Sequence, residues 1–435
     1  MLYDIAFFIF AVFYLPALIF RGKFHGDFRE RFGVYDAQKA RRLGSGRDRI
    51  WIHAVSVGEV SVCKALIPAL RSAFPGNGIV ISTITRAGNK AALKAFSGDA
   101  IILYLPLDFR STVRRSLDLI RPRLFIMVET EIWPNLLLEL HRRSIPSVLV
   151  NGRISDRSFG KYRLGRAFLK GIVEKIKMLC MQSRLDAERI SALGAPEDKV
   201  LVTGNMKFDM VSAGKETPAG DIRTLLGLGD GSMLFVAGST HEGEEEAVTE
   251  VFKDLLRNFP DLRLLIAPRH IERTPSIEAV IKRFGFDTVR VSSLLNSQHS
   301  QLPTPDSRLV YLLDTIGDLR DIYSVAGIVF VGGSLVRHGG QNPIEPALFG
   351  KPVIFGPHMF NFRDVASAFL REKAALQVAD KDDLLRQCGF LLRNKAEISR
   401  LGDKAKEVIL ANRGATDKNL DVIRALVGRF KQDIL

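Results

Sequence analysis

The feature that most constrains this chain is an alternation between two kinds of segment. Short apolar runs rich in Val, Ile, Leu and Phe are separated by stretches whose apolar residues recur at helical spacing. Candidate strands fall at 50–55, 79–84, 101–104, 124–129, 147–151, 177–181 and 200–203, with amphipathic stretches at 59–73, 109–119, 132–142 and 183–192 between them. Strand, helix and strand in series form βαβ units, and such units build a parallel sheet. The polar segment 211–221, VSAGKETPAGD, breaks the pattern and reads as an interdomain linker. A second series follows, with strands at 233–238, 262–267, 287–291, 309–312, 327–331 and 352–355, and the chain finishes in helices near 380–393, 395–412 and 416–429. The pattern predicts an α/β chain of two parallel-sheet domains, 23–210 and 222–435, the second carrying the terminal helices, with a cleft between them.

Residues 1–22 stand apart. From 5 to 20 the sequence IAFFIFAVFYLPALIF is uncharged and apolar, and Arg21, Lys23, Arg29 and Arg31 follow. The run is short of the roughly 20 residues of a full span. Asp4 and the Phe20-Arg21 pair do not suit a cleaved signal peptide. An uncleaved membrane anchor is the expectation, with the basic cluster and the rest of the chain on the cytoplasmic side; a buried apolar helix is the alternative. The net charge of +14 over 435 residues calls for an anionic partner: nucleic acid, anionic lipid or a phosphorylated substrate. The three cysteines form no C-x-x-C and the eight histidines no H-E-x-x-H, so buried thiols and no metal are expected.

No G-x-G-x-x-G follows a strand and no G-x-x-x-x-G-K-[ST] occurs, which argues against dinucleotide binding and P-loop hydrolysis. Other strand-to-helix junctions suit anions. In AGSTHEGEE (237–245) a helix beginning near Ser239 or Thr240 would offer free amides. IAPRH (266–270) sets Arg269 and His270 past a strand end. The densest stretch is FVGGSLVRHGGQNPIEP (330–346), where Gly332, Gly333, Ser334, Gly339 and Gly340 form a loop that a ligand can approach, and Asn342, Pro343 and Glu345 take the N-cap, N1 and N3 positions of a helix. In the first half HAVSVGEV (53–60) places Glu59 in the first turn of a helix, with Gly58 before it. A capping box formed by Ser56 and Glu59 accounts for the same residues. VETEIWPN (128–135) brings Glu129 and Glu131 to another strand end, and Arg153, Arg157 and Lys207 follow two more, as expected for an anionic acceptor site.

Taken in order, HAVSVGE, ETEIWPN, GNMKFD, AGSTHEGEE, APRH and GGSLVRHGGQNPIEP resemble the motifs of the 3-deoxy-D-manno-octulosonic acid (Kdo) transferases of lipid A biosynthesis. The resemblance spans essentially the whole chain. It implies a GT-B glycosyltransferase of two Rossmann-like domains at the cell inner membrane, with CMP-Kdo held in the C-terminal domain and a phosphorylated lipid A precursor, lipid IVA, in the N-terminal one. Glu59 falls on the family's general base for an inverting transfer. Its place at a helix N-terminus is expected to favour the ionised form and so weaken it as a base. Asn342 and Glu345 match the nucleotide-binding motif, with the ribose as target. No cofactor or metal is implied if Ser239, Thr240, Arg269 and the glycine loop neutralise the phosphate. Gln341 departs from the family's pattern, where histidine is expected. A UDP-sugar transferase or epimerase is the nearest rival. A membrane-anchored nucleic-acid-binding module is another, but the 28 phenylalanines read as core and anchor rather than as exposed stacking groups, so no nucleic acid is expected.

Overall fold

The computed structural model describes residue 3 and residues 26–46, 48–210, 217–296 and 308–432. Most of the expected anchor, 1–22, and of the linker, 211–221, lies outside them. Among the described residues no helix is long and apolar enough to cross a membrane.

The chain divides into two compact units, Met1–Met210 with Arg413–Leu435, and Val211–Asn412. The first holds seven strands: β1 (Arg49–His53), β2 (Ile79–Thr83), β3 (Ala100–Tyr104), β4 (Pro122–Val128), β5 (Ser147–Gly152), β6 (Met178–Met181) and β7 (Val200–Val202). They lie in the order β3-β2-β1-β4-β5-β6-β7, every pair parallel. β1 shows why its sequence reads as a continuous apolar run rather than an alternation. Ile50 and Ile52 enter one core and Trp51 the other, on the opposite face. A parallel sheet covered by helices on both faces has no solvated side, so both sets of alternate residues must be apolar. Cys63, Cys180 and Cys388 are free thiols buried in the two units.

The second unit repeats the architecture with β8 (Met233–Thr240), β9 (Leu262–Pro268), β10 (Asp287–Arg290), β11 (Leu309–Leu312), β12 (Ile328–Val331), β13 (Val353–Phe355) and β14 (Ala375–Gln377). Their order is β10-β11-β9-β8-β12-β13-β14, again all parallel. Each sheet therefore has one switch point, where successive crossovers leave a strand in opposite directions: between β1 and β4 in the first unit and between β8 and β12 in the second. Open α/β sheets bind ligands beyond the C-terminal ends of the strands at such a point.

The domain boundaries need one correction. The helix Ala415–Gln432, expected in the second domain, belongs to the first unit. Ala415, Leu420, Ile423 and Val427 complete the core that Val60, Cys63 and Ile67 build on one face of the first sheet. Asp209 fixes the return of the chain, accepting hydrogen bonds from the amides of Gly414 at 2.7 Å and Thr416 at 2.6 Å. The helix's amphipathic spacing states that it covers a core but not which one.

Candidate active site

In the first unit the switch point gathers carboxylates. The helix Val57–Ala73 starts after β1 with Ser56 at its N-cap, yet the Ser56 hydroxyl caps no amide. It donates instead to Glu59 Oε1 at 3.0 Å, while the Val55 amide donates to Oε2 at 2.5 Å. The capping box expected from the spacing is thus only half present, and the serine serves the glutamate. Glu59 is 8% exposed. Burial, reinforced by the negative charges of Glu129 and Glu131, pushes its carboxyl up to about 8. This corrects the expectation of a carboxylate weakened by the helix terminus: loss of water and two like charges outweigh two hydrogen bonds and the dipole. A side chain at Gly58 would meet no protein atom closer than Ser56 Oγ at 3.9 Å, so packing does not require glycine there.

Glu129 follows β4 with a left-handed backbone, φ +61°, and sits 3.5 Å from the buried Lys207 ammonium. Lys207 is held by the turn Met206–Asp209, whose amides are bound by Asn205 and Asn151. Glu131 follows, its carboxyl raised to about 7 by burial and by Glu129. The structure thus brings Ser56, Glu59, Glu129, Glu131 and Lys207 to one edge. Arg153 and Arg157 follow β5, one strand further along: the Arg153 amide donates to Thr130 Oγ1, and Arg157 is exposed on the helix Asp156–Leu164. One residue that spacing did not single out also packs at this edge. His53 is fully buried at the end of β1, its Nδ1 3.1 Å from Ser82 O and 3.0 Å from Ser82 Oγ, and its ring lies edge-on to Trp133. A histidine inside the apolar run RIWIHAV was the available signal.

The second unit's switch point departs further from expectation. β8 runs on through Thr240, with Ser239 at φ +57° and a register shift against β9, and the next helix is Glu244–Leu256 rather than one starting near Ser239. Thr240 is fully buried and donates to Glu245. The Glu244 carboxylate accepts from the amides of His241 (2.9 Å), Gly333 (2.6 Å), Ser334 (2.9 Å) and Leu335 (2.9 Å). The glycine loop expected to admit a ligand is therefore already bound, at Gly333 and Ser334, to the protein's own carboxylate. The loop's glycines serve the protein's own packing. A Cβ at Gly332 would lie 2.5 Å from Ser239 O, and one at Gly340, where φ is +72°, would lie 2.2 Å from Met359 Sδ. Asn342 accepts from Ile344 N and donates to Glu345, and the helix Ile344–Leu348 starts one residue later than expected, with Pro343 at the N-cap.

What stays available on this rim is cationic and aromatic. Arg269 is exposed after β9 and makes no ion pair among the described residues. Exposed His270 lies 3.5 Å from Glu272. His241 stacks on His338, centroids 4.2 Å apart, and meets His270 edge-on at 5.9 Å. His241 and His338 sit inside motifs quoted above, but only the fold brings them together.

Two all-parallel Rossmann-like units, each with polar side chains converging on its switch point, define a chain of GT-B-like architecture. The UDP-GlcNAc 2-epimerase from Neisseria meningitidis, solved with UDP-GlcNAc, shares that fold over 87% of this chain and 99% of its own, with a TM-score of 0.54 at 13% identity. The model of the 3-deoxy-D-manno-octulosonic-acid transferase family matches residues 26–210. The 3-deoxy-D-manno-octulosonic acid transferase of Haemophilus influenzae is 35% identical over 87% of each chain, and that of Rickettsia felis 30% identical over 92% of this chain and 86% of its own. The chain belongs to the 3-deoxy-D-manno-octulosonic acid (Kdo) transferases, glycosyltransferases of lipopolysaccharide biosynthesis.

Proposed function

We propose that the enzyme moves Kdo from CMP-Kdo to a hydroxyl of a phosphorylated lipid A precursor, lipid IVA, in one inverting step with Glu59 as general base. The acceptor oxygen attacks the anomeric carbon as the bond from that carbon to the CMP phosphate breaks. CMP leaves with the bonding pair and the hydroxyl proton passes to Glu59. The observation that carries this reading is a buried carboxylate at the β1/β4 switch point with its proton affinity raised to about 8. A base of that strength, once ionised, takes a proton more readily than an ordinary carboxylate. Glu129 and Lys207 complete an acceptor edge of mixed charge, and the second unit's rim, with Asn342 and Glu345 for the ribose, takes the donor. Among the described residues no three His, Cys, Asp or Glu side chains are placed to hold a metal, and in the proposed reaction the phosphate charge is met by Arg269 and its neighbours.

The base must be ionised, so kcat/KM is expected to rise with pH and level off above about 8, falling about tenfold per unit below. Glu129 raises the Glu59 carboxyl, so Glu129→Gln is expected to move this limb to lower pH, which a pH–rate profile reads directly. A limb left in place would mean that another group titrates.

Membrane attachment at the cytoplasmic face belongs to the same proposal. Residues 5–20 supply the apolar segment, and the helices Asp156–Leu164 and Arg166–Val173 supply a fitting surface. Leu164 is 91% and Phe168 50% exposed, among exposed Arg157, Lys161, Arg163, Arg166 and Lys170. Tyr3 stacks on Phe168 at 5.7 Å. Exposed apolar side chains ringed by cations suit an anionic bilayer. The double substitution Leu164→Glu/Phe168→Glu is expected to lower the fraction sedimenting with phosphatidylglycerol vesicles; an unchanged fraction would assign attachment to residues 1–22 alone.

A further inference from the structure

Glu244 poses a problem for the donor edge. Phosphate binding at a strand-to-helix junction ordinarily draws on free backbone amides, and here Glu244 has taken those of His241, Gly333, Ser334 and Leu335. The Gly340 and Gln341 amides are also spent, on Gly333 O and Gly332 O. The glycine loop therefore leaves these amides closed to an anion, and side chains on the rim become candidates to meet it. Thr240 is committed to Glu245, and Arg273 is paired with Glu245 at 2.8 Å. Side-chain donors without an ion pair or carboxylate hydrogen bond at this rim include Arg269 and His241, with His270 and His338 packed against the latter.

Gln341 lies within hydrogen-bond distance of His241, with Nε2 of the amide 3.0 Å from Nε2 of the ring. In this orientation of the amide its nitrogen donates, the ring Nε2 accepts, and the ring proton is assigned to Nδ1. Nδ1 makes no hydrogen bond among the described residues. We propose that His241 is the phosphate ligand of the donor site, presenting a neutral imidazole Nδ1–H to the donor's phosphodiester, and that Gln341 is the positioning residue that holds this tautomer.

The surroundings keep the ring neutral. His338 lies flat against it, His270 edge-on, and Arg269 and Arg273 approach from the segment after β9, while the Glu244 carboxylate is occupied by backbone amides, that of His241 among them. Burial, and then these cationic neighbours, lower the His241 pKa to about 4. An amide at Nε2 acts in the same direction, because protonating that nitrogen would set two donors face to face. A histidine at position 341, as expected from the family's pattern, would itself be titratable; glutamine cannot change its charge, so phosphate recognition here is independent of pH across the physiological range.

The assignment rests on the proposed CMP donor, and the test separates the two. Binding of CMP and of cytidine to the full-length protein is measured by calorimetry between pH 7 and 8.5, above the second phosphate ionisation near 6. The wild type is expected to prefer CMP over cytidine by a ratio that stays flat over this range. His241→Phe keeps the stack on His338 without the N–H, and should cut the preference about tenfold or more while leaving cytidine affinity unchanged, the loss of one hydrogen bond to an ionised group. Gln341→Glu places a carboxylate against Nε2, favours the imidazolium, and should make the preference rise as pH falls. A His241→Phe protein that discriminates within twofold of wild type would overturn the phosphate role, and a Gln341→Glu preference as flat as wild type would overturn the tautomer role. A wild type that binds neither compound would overturn the CMP donor reading itself.

Discussion

Glu244→Ala is expected to lower the melting temperature by about 10 °C or more and to abolish donor binding. The Glu244 carboxylate is fully buried and accepts four backbone N–H groups. Truncation leaves those donors without partners in a closed site, at a cost of about 1–3 kcal/mol each where no water enters. A loss of several kcal/mol in a unit of this size corresponds to roughly 2–4 °C per kcal/mol. Glu244→Gln tests the charge separately. One of its two polar atoms is an N–H donor facing backbone donors, so it should recover only part of the stability. The measurement is calorimetric melting of the three proteins. An alanine variant within a degree or two of wild type would show that Glu244 does not hold the loop 332–335.

Glu59→Gln is expected to lower kcat about 10²- to 10⁴-fold, the usual contribution of a positioned general base, and to stabilise the protein at high pH. The sign follows from the raised carboxyl. In the unfolded chain Glu59 ionises near its ordinary 4.5, and in the folded protein near 8. The folded state therefore holds a proton that the unfolded state has released between those values. The contribution of Glu59 to stability is most favourable below about 4.5, declines as pH rises, and is lost above about 8. Glutamine carries no charge at any pH, so the variant's melting temperature should match wild type at pH 5 and exceed it at pH 9. An inactive variant that melts below wild type at pH 9 would instead give Glu59 a structural role.

The paired observations at Glu59 show what the sequence could carry. S-x-x-E predicted correctly that a helix starts at this place, because apolar spacing and a polar cap fix a helix terminus locally. It could not tell whether Ser56 serves the amides or the carboxylate, since that depends on Glu129 and Glu131 arriving from β4, some 70 residues later. Lys207 belongs to the same case, legible as a cation after a strand but not as the partner of Glu129. The central strands were legible because both faces of each sheet are covered there, which makes them compact apolar runs; β14 (Ala-Leu-Gln), with one buried residue, carries no such run. The terminal helix was legible as a helix and misplaced as to domain. At the second switch point the glycine spacing suggests a ligand cradle, whereas the loop's amides face Glu244 and two of its glycines admit Ser239 and Met359. Glycine spacing records that something comes close, not what.

The most direct test of the central claim is mass spectrometry of lipid IVA after incubation with CMP-Kdo and purified protein, wild type beside Glu59→Gln. The account predicts acceptor mass gains in whole Kdo units with wild type, together with stoichiometric CMP, and almost none with the variant over the same time. Equal product from both proteins would contradict Glu59 as the base, and an unmodified acceptor with wild type would contradict the proposed donor and acceptor pair.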